Sequence, residues 1–340
     1  MGGMWFDPET LVDSLSETAG YKAGLALSLE AMCDLLSNTG YPDILIESET
    51  QMVRLRSEDY EELFYKLLHR IGFTAEEYRG DVTGISLFHK YRGTEHEPIH
   101  QRVLELFIEY WPKLLEETKA SGASAIDPTP YVRACIQEFG EIGYNMAMER
   151  LEILNMGMKL NPHTGLRYIE WRNTEQLESL FKGSDSAPEL GTFIDQRFLN
   201  YLRANPEKLG EMHWRKFEQL TAEYFERAGF KVELGPGVND DGVDVRVWKE
   251  TQDSEADPPH CIIQCKRQKA KIEKVVIKGL HSDIQFEQAE CGLLVTSSEL
   301  SVGARQTIVV RGYPIEEVNK VQLGKWLEVL HQPGTGVVRV

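Results

Sequence analysis

Two short runs, Val243-Asp244-Val245-Arg246-Val247-Trp248 and Cys261-Ile262-Ile263-Gln264-Cys265-Lys266, decide how this chain folds. In the first, Val243, Val245 and Val247 alternate with Asp244, Arg246 and Trp248, the period of two expected of a half-buried strand. Asp244 therefore points away from the core face. In the second, Ile263 and Cys265 share one face while Gln264 and Lys266 share the other. If the two strands pair, Asp244, Gln264 and Lys266 converge on one patch.

A carboxylate, an amide oxygen and a cation in one patch suit metal-assisted cleavage of a phosphodiester. A hard cation such as Mg2+ (or Mn2+) prefers oxygen donors and keeps several waters, so one carboxylate with an amide or backbone carbonyl can hold it. Asp244, Gln264 and Cys265 are the candidate metal holders, and Lys266 would orient the attacking water or offset charge on the phosphate. The bland alternatives stay open: Asp244 could close the turn made by Asn239-Asp240-Asp241-Gly242, and Lys266 could be a solvated edge charge.

The segment resembles the Mrr-like restriction endonucleases of the PD-(D/E)xK nuclease superfamily. The resemblance rests on Phe217-Glu218, Ala228-Gly229-Phe230, Asp241-Gly242-Val243-Asp244, Gln264-Cys265-Lys266-Arg267 and Gly292-Leu293-Leu294-Val295-Thr296, in that order, and covers roughly Glu211 to Leu330. It implies a metal-dependent DNA endonuclease, in restriction or antiphage defence, with Asp244 as the metal-binding carboxylate. Gln264 would occupy the place where much of the superfamily has Glu, Lys266 would be the catalytic lysine and Glu218 the helix-borne acid. The helical stripe Phe217, Leu220, Thr221, Tyr224, Phe225, Ala228 puts Glu218 at its border, where a solvent-facing role competes with a functional one.

Lys266, Arg267, Lys269, Lys271, Lys274 and Lys278 form a basic run interrupted only by Glu273. Clustered cations that neutralise phosphates supply most non-specific DNA affinity, so these are the candidate DNA-binding residues. Around them the pattern predicts a helix over 211–228, strands over 231–234, 243–248 and 261–266, a helix over 275–288, a strand over 291–296, a helix over 301–310, a strand over 313–318 and a helix over 322–330.

Length and 41% hydrophobic content accommodate two cores. The expected class is α+β: a helical regulatory or recognition domain (1–182), a linker and connecting helix (183–204, the helix over 190–202), and an α/β nuclease core of helix, three strands, helix and strand (205–340). A fragment from Arg203 onward is expected to fold alone. The N-terminal helices are expected over 22–36, 59–71, 99–119 with a kink at Pro112, and 131–155, and a strand over 84–91. The boundary falls at Lys182-Gly183-Ser184-Asp185-Ser186-Ala187-Pro188.

Residues 1–200 carry 33 acidic against 18 basic residues, a balance of −15, and residues 201–340 carry 21 against 19, a balance of −2. A surface that negative repels duplex DNA, so the N-terminal part is expected to take a protein or ligand partner. DNA is the partner of the C-terminal part, and cutting both strands with one site per chain calls for a dimer or higher homo-oligomer. No run of eighteen apolar residues and no basic, apolar leader is present, so a cytoplasmic protein without membrane contact is expected. Cys33, Cys135, Cys261, Cys265 and Cys291 offer no zinc spacing and read as reduced core thiols. His89, His96, His100 and His163 form no ligand pattern. The competing reading is a non-catalytic DNA-binding or assembly protein that keeps the nuclease fold, encouraged by the neutral Gln264.

Overall fold

The computed structural model describes residues 3–78, 84–123, 125–162, 171, 173–183, 188, 190–237, 242–334 and 338. The chain begins with β1 (Gly3–Phe6), α1 (Thr10–Leu15), α2 (Tyr21–Ala23), β2 (Leu25–Ala26), α3 (Leu29–Leu35), α4 (Tyr41–Ser48), β3 (Val53–Arg56) and α5 (Ser57–Arg70). α6 (Ile85–Tyr91), α7 (Glu97–Ser121), α8 (Thr129–Leu160) and β4 (Glu175–Gln176) follow. A 3-10 turn over Leu177–Phe181 then precedes α9 (Gln196–Ala204), and another over Pro206–Gly210 precedes α10 (Trp214–Arg227). The remainder is β5 (Lys231–Leu234), β6 (Val245–Trp248), β7 (Cys261–Lys266), α11 (Lys274–Glu287), β8 (Cys291–Thr296), α12 (Val302–Arg311), β9 (Ile315–Val318) and α13 (Lys320–Leu330).

The last five strands make one mixed sheet in the order β5-β6-β7-β8-β9. β5, β6 and β7 pair antiparallel, whereas β7, β8 and β9 pair parallel, and α11 and α12 are the crossovers that parallel neighbours require. Local chemistry fixes the helix starts. Ser301 caps α12, and Asn319 and Gln322 form a reciprocal capping box on α13. The fold is α+β, with a nuclease-type α/β core after a largely helical region.

Both faces of the sheet are covered. Val245, Val247, Cys261, Ile263, Leu293 and Val295 join a core shared with α10 and α13, and Ile262, Leu294 and Val243 join a second cluster with α11 and α12. The half-buried reading of β6 therefore needs correction. Trp248 is buried and its indole N–H donates to the Asp257 carbonyl at 3.0 Å, while Arg246 is tied to Glu287 at 2.8 Å. Val243 lies before the strand begins and packs on the face opposite Val245, so the alternation stops at Asp244.

The larger core also runs through α1, α3, α5 and α9, joining residues from Phe6 to Leu330. α9 begins at Gln196, later than the connecting helix expected over 190–202, and packs on α13 with Phe198, Leu199, Tyr201 and Leu202 buried. Ahead of it, the Glu223 carboxylate of α10 accepts from the main-chain N–H groups of Thr192 and Phe193 at 3.0 and 2.7 Å. A fragment cut at Arg203 would remove most of this helix, contrary to the expectation that such a fragment is complete. The α7–α8 hairpin has a separate cluster around Val103, Tyr131 and Leu151.

Other expectations shift as well. The segment expected as a strand over 84–91 instead holds the helix α6 (Ile85–Tyr91), with Leu87 buried and Ile85 and Phe88 exposed. The expected helix over 22–36 is broken by β2, which pairs in parallel with β4. α7 continues through Pro112, and the break falls instead in α8 at Gly140, whose φ of 59° and ψ of −136° only glycine adopts freely. Ser184–Ala187 of the boundary stretch, Asn239–Asp241 and His163 lie outside the described residues. No described helix is long and apolar enough to cross a membrane.

Candidate active site

The site forms where β6 starts and β7 ends. The β6–β7 ladder stops at the pair Val245–Ile263, which leaves Asp244 just beyond it beside Gln264. The main-chain N–H of Asp244 donates to the Ile263 carbonyl at 2.9 Å, and the Cys265 N–H donates to Asp244 Oδ2 at 2.6 Å. The second bond fixes one oxygen of a buried carboxylate against β7.

Gln264 is buried too, and its Nε2 donates to the Gly242 carbonyl at 3.0 Å. Its Oε1 has no hydrogen-bond partner among the described residues. Gly242 has a φ of 91°, and a Cβ there would stand 3.2 Å from Gln264 Nε2, so the backbone and the close approach both require glycine.

Lys266 ends β7, half-buried, with its carbonyl held by the Thr296 hydroxyl at 2.8 Å and the Ser297 N–H at 3.3 Å. α10 adds Glu218, which is 5% exposed rather than solvent-facing and accepts from Arg215 at 2.8 Å. The Cys265 thiol donates to Thr221 Oγ1 at 3.5 Å. Burial pushes that thiol well up, the Asp244 and Glu218 carboxylates push it further, and Lys266 opposes them, so all three charges act on one point. Protonated and turned toward α10, Cys265 has only its main-chain carbonyl to offer a hard cation.

The structure thus brings Asp244, Gln264, Cys265, Lys266 and Glu218 together. Among the described residues no three His, Cys, Asp or Glu side chains are grouped to hold a metal. The donor set fits a hard cation that keeps much of its water: one charged oxygen from Asp244, the unmet oxygen of Gln264 and a main-chain carbonyl.

The basic run is exposed at Arg267, Lys269, Lys271, Lys274 and Lys278. Arg267 donates to the Gly210 carbonyl at 2.8 Å, and Lys271 lies 3.9 Å from Glu299. Lys274 and Lys278 stand one turn apart at the start of α11. Sequence reasoning missed Arg215, the contact of Thr221 with the Cys265 thiol, the hold of Thr296 on the Lys266 carbonyl and the role of the Gly242 carbonyl. The i, i+3 spacing of Arg215 and Glu218 was the one readable signal.

Residues 209–327 match the Mrr catalytic family model, described as Restriction endonuclease. This segment is a restriction-endonuclease domain of that type. Among solved structures, the chain is similar to the DNA modification-dependent restriction endonuclease AspBHI, at 18% identity over 37% of this chain and 39% of that one, with a TM-score of 0.25. It is also similar to the MspJI restriction endonuclease in complex with a 27-mer oligonucleotide, at 18% identity over 56% of this chain and 40% of that one, with a TM-score of 0.27. The chain spans about two fifths of the length of each. No curated protein matches it.

Proposed function

We propose that this chain is a DNA endonuclease dependent on Mg2+ or Mn2+, acting in the cytoplasm in restriction or antiphage defence. The observation that carries the reading is the buried Oε1 of Gln264, without a partner among the described residues, beside Asp244 and two residues from Lys266. Asp244, Gln264 and the Cys265 carbonyl would hold the ion, which supplies charge to a phosphate and makes a water more acidic. Lys266 brings a cation to the scissile phosphate and offsets the charge that grows on its oxygens. Glu218, held by Arg215, sets the negative field behind Cys265. Arg267, Lys269, Lys271, Lys274 and Lys278 would follow the flanking phosphates.

The N-terminal part, at −15, would restrain or direct the nuclease instead of binding DNA, through a protein or ligand partner, and two chains would supply the two antiparallel sites for a double-strand cut. A division at 1–182, 183–204 and 205–340 suits these separate tasks even though one apolar core is shared.

Plasmid incubated with the full chain and Mg2+, beside an EDTA control, tests the reading. Asp244→Ala and Lys266→Ala each reduce cutting on the order of a hundredfold or more with unchanged thermal melts. Full cleavage by folded Asp244→Ala protein would sink the assignment. The neutral Gln264 and the lack of an acidic trio among the described residues favour one competitor, a DNA-binding protein that does not cut. DNA binding with no nicking under any divalent cation would select it.

A further inference from the structure

A cavity of about 360 Å3 lies on the seam between the N-terminal elements and the approach to α10. That volume is in the range of small-molecule sites. α3 contributes Glu30 and Asp34, the turn over Leu177–Phe181 contributes Glu178 and Phe181, and α9 contributes Tyr201. Lys208 and Glu211 close the side toward α10.

Its floor is aromatic, with the rings of Phe181 and Tyr201 edge-to-face at 5.6 Å. Tyr201 is only 2% exposed, and its hydroxyl has no hydrogen-bond partner among the described residues. The charges that act on that hydroxyl include Lys208, Asp34 and Glu211, all on the cavity wall. Burial pushes it up to about 12, so it stays a neutral donor and acceptor. The residue lines the cavity, so its hydroxyl is open to a polar atom of a bound molecule.

The rim is acidic. Four carboxylates face one ammonium, and Lys208 is already engaged at 2.9 Å from Asp34 and 3.2 Å from Glu211. Among the described residues, Glu178 accepts only from the Ser28 hydroxyl, at 2.9 Å, and Glu30 pairs with none. Such a rim repels phosphates and carboxylates and attracts cations.

We propose that this cavity binds a small organic cation, an ammonium or guanidinium group on an apolar or aromatic body. The charge sits between Glu30 and Glu178, the body lies on the Phe181 and Tyr201 rings, and a polar atom of the ligand meets the Tyr201 hydroxyl. Cation–π attraction adds to the ion pairing. This site is independent of the nuclease reading, because none of its residues belongs to the Asp244 cluster.

The full chain titrated with tryptamine, phenethylamine and agmatine, each followed by ligand-observed NMR and thermal shift, tests the site. The neutral and anionic analogues 2-phenylethanol and phenylacetate serve as controls for the shared body. At least one cation binds saturably and raises the melting midpoint, and 2-phenylethanol and phenylacetate bind at least about tenfold more weakly than phenethylamine. The exposed pair Glu30→Gln/Glu178→Gln, which leaves the core intact, loses about tenfold in affinity, and Tyr201→Phe weakens binding further. Failure of all three cations to bind, equal binding of the neutral alcohol, or unchanged affinity in the Gln pair overturns the proposal.

Discussion

The side-chain amide of Gln264 donates to the main-chain carbonyl of Gly242 at 3.0 Å, and this bond decides which end of the amide is left without a partner. With the nitrogen committed, Oε1 is buried and meets no described residue. An unmet buried acceptor costs about 1–3 kcal/mol, and a cation or a donor from outside the protein would recover it. The glycine that the sequence marks as turn chemistry and as part of the Asp241-Gly242-Val243-Asp244 motif therefore also orients the amide.

Gly242→Ala tests that coupling. A side chain at a φ of 91° is strained by about 1–2 kcal/mol, and the new Cβ would press on Gln264 Nε2. The expected outcome is a lower melting midpoint together with a loss of divalent-dependent cleavage that persists at temperatures where the variant is fully folded. Full activity in the folded variant would separate Gly242 from the site.

Reversing Lys269, Lys271 and Lys274 to Glu removes three exposed cations without touching Asp244 or Gln264. DNA affinity should fall, and its logarithmic dependence on salt should flatten by roughly one unit for each phosphate no longer neutralised. An unchanged slope would make the run a solvated face.

Truncation probes the shared core. A chain starting at Leu190 keeps α9 and the bonds from Thr192 and Phe193 to Glu223, whereas one starting at Arg203 loses Phe198, Leu199, Tyr201 and Leu202. Each such side chain stabilises by about 1.5–3 kcal/mol on burial, so together they rival the stability of a whole domain. Calorimetry should show a cooperative melt for the longer fragment, below that of the full chain, and none for the shorter.

Stability should fall on acidification near the seam of α5 and α13. His331 Nε2 lies 2.9 Å from the Gly72 carbonyl, and burial holds its imidazole below the usual range; burial does the same to His69. The unfolded imidazole, near pH 6.5, takes up its proton first. The contribution is therefore complete above about pH 6.5 and is lost as pH drops through the folded-state values. Melting midpoints at about pH 5.5 and about pH 7.5 should differ less in His331→Gln than in the parent, and an equal difference would remove His331 as a cause.

Local chemistry made much of the C-terminal part readable in the sequence. β5, β7 and β8 lie where their apolar runs predict, and Asp244 comes beside Gln264 just past the end of the β6–β7 ladder, because strand period and cap residues act over a few neighbours. Tertiary structure alone decided the side on which Val243 packs, the burial of Glu218 under its Arg215 partner, the helix at 85–91 and the core that α9 shares with both parts. The physical reason is contrast. Alternation records the difference between a wet and a dry face, and a sheet covered on both sides has none. A carboxylate at the edge of a helical stripe looks the same in sequence whether water or another element covers it, and only the packing of distant segments determines which.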